Sequence, residues 1–102
     1  MPDSETLSTV ARWLDDNASS LGLVELRRNT ISDPAKLHAR YETGDFLVSV
    51  TAWAQGACLD IDILEKASGR IEVIIQGPCG EQSDILERLN VFAKRLTALR
   101  RV

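Results

Sequence analysis

Asp60 and Asp62 stand two residues apart in Asp60-Ile61-Asp62. On a strand, residues i and i+2 point to the same side, so this pair offers hard oxygen ligands to a divalent cation. Glu72, on a following strand, would complete a set of three carboxylates. A nuclease-like centre would also need a lysine close by, and Lys66 falls in a turn between them. His38 is the single histidine of the chain. A site with two histidine ligands is therefore excluded, and a Ser-His-Asp triad would have to be assembled around this one ring. Its position on a strand beside Arg40 fits a surface residue better. Cys58 and Cys79 are too few for a disulfide framework and lack the spacing of a zinc site. The strand order set out below brings them near one another and leaves a bridge open, although a cytosolic chain keeps such thiols reduced. The segment Gly77-Pro-Cys-Gly80 lacks the Gly-Lys-Ser/Thr ending of a phosphate loop and is followed by Glu81. These residues predict a protein that is not an enzyme, with no cofactor and no bound metal.

The elements that position them follow from apolar spacing. Leu7, Val10, Ala11, Leu14, Ala18 and Leu21 recur at intervals of 3 and 4 and define a first helix, capped by Asp3 or Ser4 and ending near Ser20 before Gly22. Trp13 lies beside that stripe. Leu23 to Arg28 is a strand candidate, and Asn29 to Pro34 is expected to be a loop because Pro34 restricts Asp33. From Lys36 the period is 2 for about forty residues. Strands are predicted at 36–42, 46–53, 58–64 and 71–76, separated by turns at 43–45, 54–57 and 66–69. Gly77 to Gly80 closes the run. A last helix spans Ser83 or Asp84 to Ala98, with Ile85, Leu89, Phe92, Leu96 and Leu99 as its stripe, broadened by Leu86 and Ala93. Asp84 and Glu87 have the spacing of a capping box.

The order α-β-β-β-β-β-α predicts one α+β domain over residues 1–102: a five-stranded antiparallel meander with the N- and C-terminal helices packed on one face. Short connections of this kind join antiparallel neighbours. Leu37/Ala39/Tyr41, Phe46/Val48/Val50, Leu59/Ile61/Ile63 and Ile71/Val73/Ile75 are the sets expected beneath the helices. The other face then meets water carrying His38, Arg40, Glu42, Leu47, Ser49, Thr51, Trp53, Cys58, Asp60, Asp62, Leu64, Glu72, Ile74 and Gln76. Leu47, Trp53, Leu64 and Ile74 are large apolar residues on a face that should be wet. Mixed with carboxylates, they have the composition of a protein-binding patch with an aromatic anchor. Scattered exposed apolar residues are also ordinary on strands.

Charge is unevenly distributed. The net charge is −3, yet residues 42–87 hold nine acids against Lys66 and Arg70, and residues 88–102 hold five bases and no acid. The acidic middle disfavours nucleic acid and suits a basic partner. The basic tail matches the negative end of the last helix. No apolar run approaches the roughly 20 residues of a membrane helix, and the polar acidic start is unlike a secretory signal. The expected address is the cytoplasm. The first and last strands are free edges, which leaves pairing into a homodimer open.

The segment from Val50 to Leu64, with Trp53, a two-residue gap and Gly56, then Asp60 and Asp62 alternating with aliphatics, resembles the TriTu family of bacterial immunity proteins. Gly69 in the next turn and the flanking helices extend the likeness across most of the chain. Ala54-Gln55 stand where the family tends to carry a carboxylate just after the tryptophan. The resemblance implies a small α+β protein that binds a cognate polymorphic toxin domain and neutralises it by occluding its active site. On that reading Trp53, Asp60, Asp62, Glu72, Glu42, Leu47 and Ile74 are the partner-binding residues, and the partner presents a basic surface. A small acidic chaperone or adaptor for a secreted protein is the alternative expectation.

Overall fold

The computed structural model describes residues 2–32, 35–53, 58–75 and 82–100. The chain runs α1 (Pro2–Leu21), β1 (Val24–Ser32), β2 (Ala35–Thr43), β3 (Phe46–Trp53), β4 (Cys58–Glu65), β5 (Ile71–Ile75) and α2 (Gln82–Arg100). The strands form one antiparallel sheet in the order β1-β2-β3-β4-β5. This is the α+β meander with terminal helices that the apolar pattern predicts.

One hydrophobic core joins the helices to one side of the sheet. Val10 and Leu14 of α1 and Ile85, Leu89, Phe92 and Leu96 of α2 are buried with Leu37, Ala39, Tyr41, Val48, Val50, Ala52, Leu59, Ile61 and Ile63. Trp13 packs on the core from α1, its ring 6.1 Å from that of Phe92 on α2. The three inner strands alternate buried and half-exposed residues, as a sheet with one covered face must. Leu86, expected to widen the stripe of α2, is exposed instead. α1 begins at Pro2, so Asp3 and Ser4 lie within its first turn rather than before it. It ends at Gly22, whose φ of 70° carries the chain out of the helix. Leu23 N–H donates to the Ala18 carbonyl at 2.8 Å and Gly22 N–H to that of Ser19 at 3.1 Å, which satisfies two terminal carbonyls.

The edges depart from simple alternation. β1 extends to Ser32, through residues expected to form a loop, because β2 offers it a full-length partner: Asn29 pairs with His38 and Ser32 with Ala35. Pairing overrides the low strand preference of asparagine. A bulge between Glu25 and Arg27 also shifts the register of β1.

At the start of β5 the expected facing is reversed for Ile71 and Val73; a register shift between Ile61 and Asp62 then sets Ile75 opposite Ile61, a position on the side expected. Four residues, 66–69, separate Glu65 from Arg70; Glu65 N–H donates to the Arg70 carbonyl at 2.8 Å, and Leu64 pairs with Ile71. Directly paired residues share a face. Leu64 points away from the helices, so Ile71 does too, and Glu72, opposite Ile63, turns towards them. Ile71 is 62% and Val73 59% exposed rather than buried, whereas Ile74 packs against the core. An even-length turn exchanges odd and even positions between successive strands. Turn length therefore outweighs the attraction of Ile71 and Val73 to the core.

Candidate functional site: the uncovered face of the sheet

Among the described residues nothing covers the side of the sheet opposite the helices. The register arranges its side chains in four rows across the strands. The first row is Val24, Glu42, Leu47, Leu64 and Ile71. The second is Arg27, Arg40, Ser49, Asp62 and Val73. Asn29, His38, Thr51 and Asp60 form the third, and Ile31, Lys36, Trp53 and Cys58 the fourth. The two outer rows are largely apolar and the two inner rows are polar.

Of the residues expected to bind a partner, Trp53, Asp60, Asp62, Glu42 and Leu47 lie on this face. Glu72 and Ile74 do not, and this corrects the expected set. Glu72 reaches back to α2, where Arg95 grips its carboxylate through Nε (3.1 and 3.2 Å) and a terminal nitrogen (2.6 Å). That contact holds the Arg95 guanidinium above its ordinary pKa. With Glu72 on the far side, the carboxylate trio of Asp60, Asp62 and Glu72 does not assemble. No group of three or more metal-ligating side chains occurs among the described residues. Cys79 and the turn containing Gly56 lie outside the described residues, and so does the Cys58–Cys79 bridge left open above.

Two features of the face were not legible from alternation alone. Ile71 and Val73 replace Ile74 as its apolar contribution from β5. Arg27 joins Arg40, with Lys36 beside them, once β1 is extended and its bulge is known. The signal for β5 was available in the even length of the 66–69 turn; the bulge in β1 leaves no comparable mark in the sequence.

The polar rows are sorted by charge. Arg27 and Arg40 sit directly opposite one another on β1 and β2, an arrangement that like charges disfavour. Asp60 and Asp62 share β4. Ser49 and Thr51 of β3 separate the two sets. Interleaved charges would have formed cross-strand ion pairs, so this segregation costs the isolated chain stability.

Burial pushes the Asp62 carboxyl above the usual carboxylate range, against the downward pull of Arg40 and His38, with Asp60 adding to the rise. His38 is held below its usual value, first by burial and then by Arg40, Lys36 and Arg27, while Asp62 acts in the opposite direction. Its Nδ1 lies 2.9 Å from the Thr51 hydroxyl. The neutral ring is therefore favoured.

At the ends of the face, Lys36 places its ammonium 5.2 Å from the centre of the Trp53 ring, a cation–π contact across paired positions. Glu42 is engaged by Lys66, which comes from the β4–β5 turn. Trp53 is half-buried. Asp60 stands diagonal to it, one row in, within the reach of a single partner side chain.

Clefts occur elsewhere. One of about 340 Å³ opens between the β4–β5 end of the sheet and the last turns of α2, lined by Phe46, Ile63, Arg70, Glu72, Arg95 and Leu99 among others. Of the four charged residues that line it, Glu72 and Arg95 pair with one another, beside Glu65 and Arg70. Among the described residues no helix is long and apolar enough to cross a membrane. Comparison with protein-family models, with curated proteins and with solved structures finds no match.

Proposed function

We propose that this protein binds another protein through the uncovered face, and that the partner is a bacterial toxin domain whose active-site cleft is basic. Binding there neutralises the toxin by occlusion, without chemistry. The observation that carries this reading is the segregation of charge on an open sheet beside Trp53. Asp62 is incompletely solvated as an anion, so a partner's lysine or arginine opposite β4 would recover free energy that water does not supply. Acidic groups of the partner would face Arg27 and Arg40. Complementarity of this kind speeds encounter, and a desolvated aromatic anchor slows release.

Asp60, Asp62 and Trp53 are assigned as the main contacts, with Leu47 and Glu42 at the opposite border; the resemblance to immunity proteins supports the first three. In place of an evenly acidic face, the partner meets acid on β4 and base on β1–β2. Charge reversal in Asp60→Arg/Asp62→Arg, with the fold checked by circular dichroism, should weaken binding to the cognate toxin domain. It should also abolish growth rescue when toxin and protein are co-expressed. Unchanged affinity of the folded variant rejects the face; binding without any rescue by the native chain favours an adaptor.

A further inference from the structure

We infer that, with no other partner bound, a second copy of this chain covers the uncovered face, as a face-to-face two-fold dimer whose axis runs along β3. This does not depend on the toxin reading, although the two occupants would compete.

In a two-fold dimer the same patch serves both copies, so each residue must suit the residue that the axis brings opposite it. Two sheets meeting face to face admit two simple axes. An axis across the strands lays β4 on β4 and β2 on β2 with the row order reversed, setting the acids of one copy's β4 against those of the other, Asp62 against Asp60 for an axis between the two inner rows. An axis along β3 exchanges β4 with β2 and β5 with β1. Asp62 then meets Arg40 of the other copy, twice over, and Asp60 meets His38. In the first row, Ile71 meets Val24, the two most exposed large apolar residues of the open face at 62% each. Leu47 and Trp53, both on β3, lie at the axis against their own copies.

The acids of β4 and the base of β2 are thus what a second copy pairs, and Val24 and Ile71 are covered by the same operation, while Arg27 of the same row as Arg40 meets Val73. The roughly 30° offset between packed sheets leaves these pairings in place at the centre.

Size sets the strength. Five strands about 4.8 Å apart and about 8 residues long present roughly 500–600 Å² per copy. The total buried on both copies, about 1,000–1,200 Å², sits at the lower bound of specific interfaces. The dimer is therefore reversible, which a face that must also receive another protein requires.

Sedimentation velocity from roughly 1 µM to 1 mM protein should show the mass rising from the 11.3 kDa monomer towards twice that value. Asp62→Arg and Arg40→Asp, each alone, should weaken association about tenfold or more, since each replaces two attractions by two repulsions. Mixed in equal amounts, the two variants should associate again, because the heterodimer restores both opposite-charge contacts. Asp62→Asn, which keeps the side-chain shape, should weaken the dimer by less and guards against a folding defect in the reversal. A monomer at all concentrations overturns the proposal. So does a dimer indifferent to all three substitutions, which would indicate pairing through the β1 or β5 edge.

Discussion

The inner strands and the edge strands of this sheet are held in different ways. β2, β3 and β4 send every second side chain into a core closed by Val10, Leu14, Leu89, Phe92 and Leu96. β1 and β5 are tied to the helices largely by ion pairs. Arg28 of β1 reaches Asp15 of α1 at 2.8 Å and the Tyr41 hydroxyl at 3.0 Å, and Glu72 of β5 is clasped by Arg95 of α2. On the open side the inner strands present mostly polar side chains together with Leu47, Trp53 and Leu64, whereas the edges add Val24, Ile31, Ile71 and Val73, all exposed. Two helices, each with one apolar stripe, cover about three strands; much of what the edges hold in apolar surface is left for the other side. Stability thus comes from the centre of one face, and the borders of the other add exposed apolar area to its polar middle.

The sharpest break in that comparison is a cavity in the core. Phe92→Ala should cost about 3–5 kcal/mol in urea unfolding, enough to unfold much of a chain of this size at physiological temperature. Leu47→Ala, on the open side of an inner strand, should cost well under half as much, because its site already meets solvent. Equal losses would mean that the open face is roofed in solution.

A finer separation comes from pH, where two carboxylates on opposite sides of the sheet behave oppositely. Asp15 is held below the usual carboxylate range mainly by its hydrogen bond from Arg28. Its folded pKa is depressed, so its contribution is complete above the unfolded value of 3.8 and is lost as pH falls through the folded pKa. Asp15→Asn should therefore destabilise at neutral pH by about 0.2–1 kcal/mol, the range of exposed ion pairs, and converge on the native chain in strong acid. Asp62 is raised by burial. Its favourable contribution is complete only below 3.8 and is lost as pH rises through its folded pKa. Asp62→Asn should be slightly more stable than the native chain at neutral pH while binding its partner less well. Urea titrations at pH 7 and pH 3 check both signs. The smallest effect is that of His38: its depressed pKa makes the fold lose a little stability as pH falls below 6.5, a slope that His38→Gln should remove.

Most of the architecture was written in apolar spacing, because the inner strands are buried on one side only and the helices carry single stripes. Leu37, Val50 and Ile61 could hardly face anywhere else. The edges were less legible for physical reasons. At β5 two rules disagreed, and hydrophobicity pointed Ile71 and Val73 inward while the even turn after Glu65 required them to face out. Hydrogen-bond register is cooperative along the strand, and two exposed aliphatics are an affordable exception, so the turn prevailed. At β1 the bulge near Leu26 redirects the chain, placing Arg27 beside Arg40. Within the candidate site, Trp53, Asp60 and Asp62 followed from alternation on inner strands, whereas the opposed basic pair and the outward Ile71 and Val73 did not.

The most direct test is a methyl shift map of the isotopically labelled protein titrated with the toxin domain proposed as its partner. Methyl groups report one face at a time, which backbone amides do not. The account predicts shifts at Leu47, Leu64, Val24, Ile71 and Val73, with Ile85, Leu89 and Leu96 unmoved. Shifts concentrated on the outer surface of the helices, at Leu86 and Val91, with Leu47 and Leu64 unchanged, would contradict it.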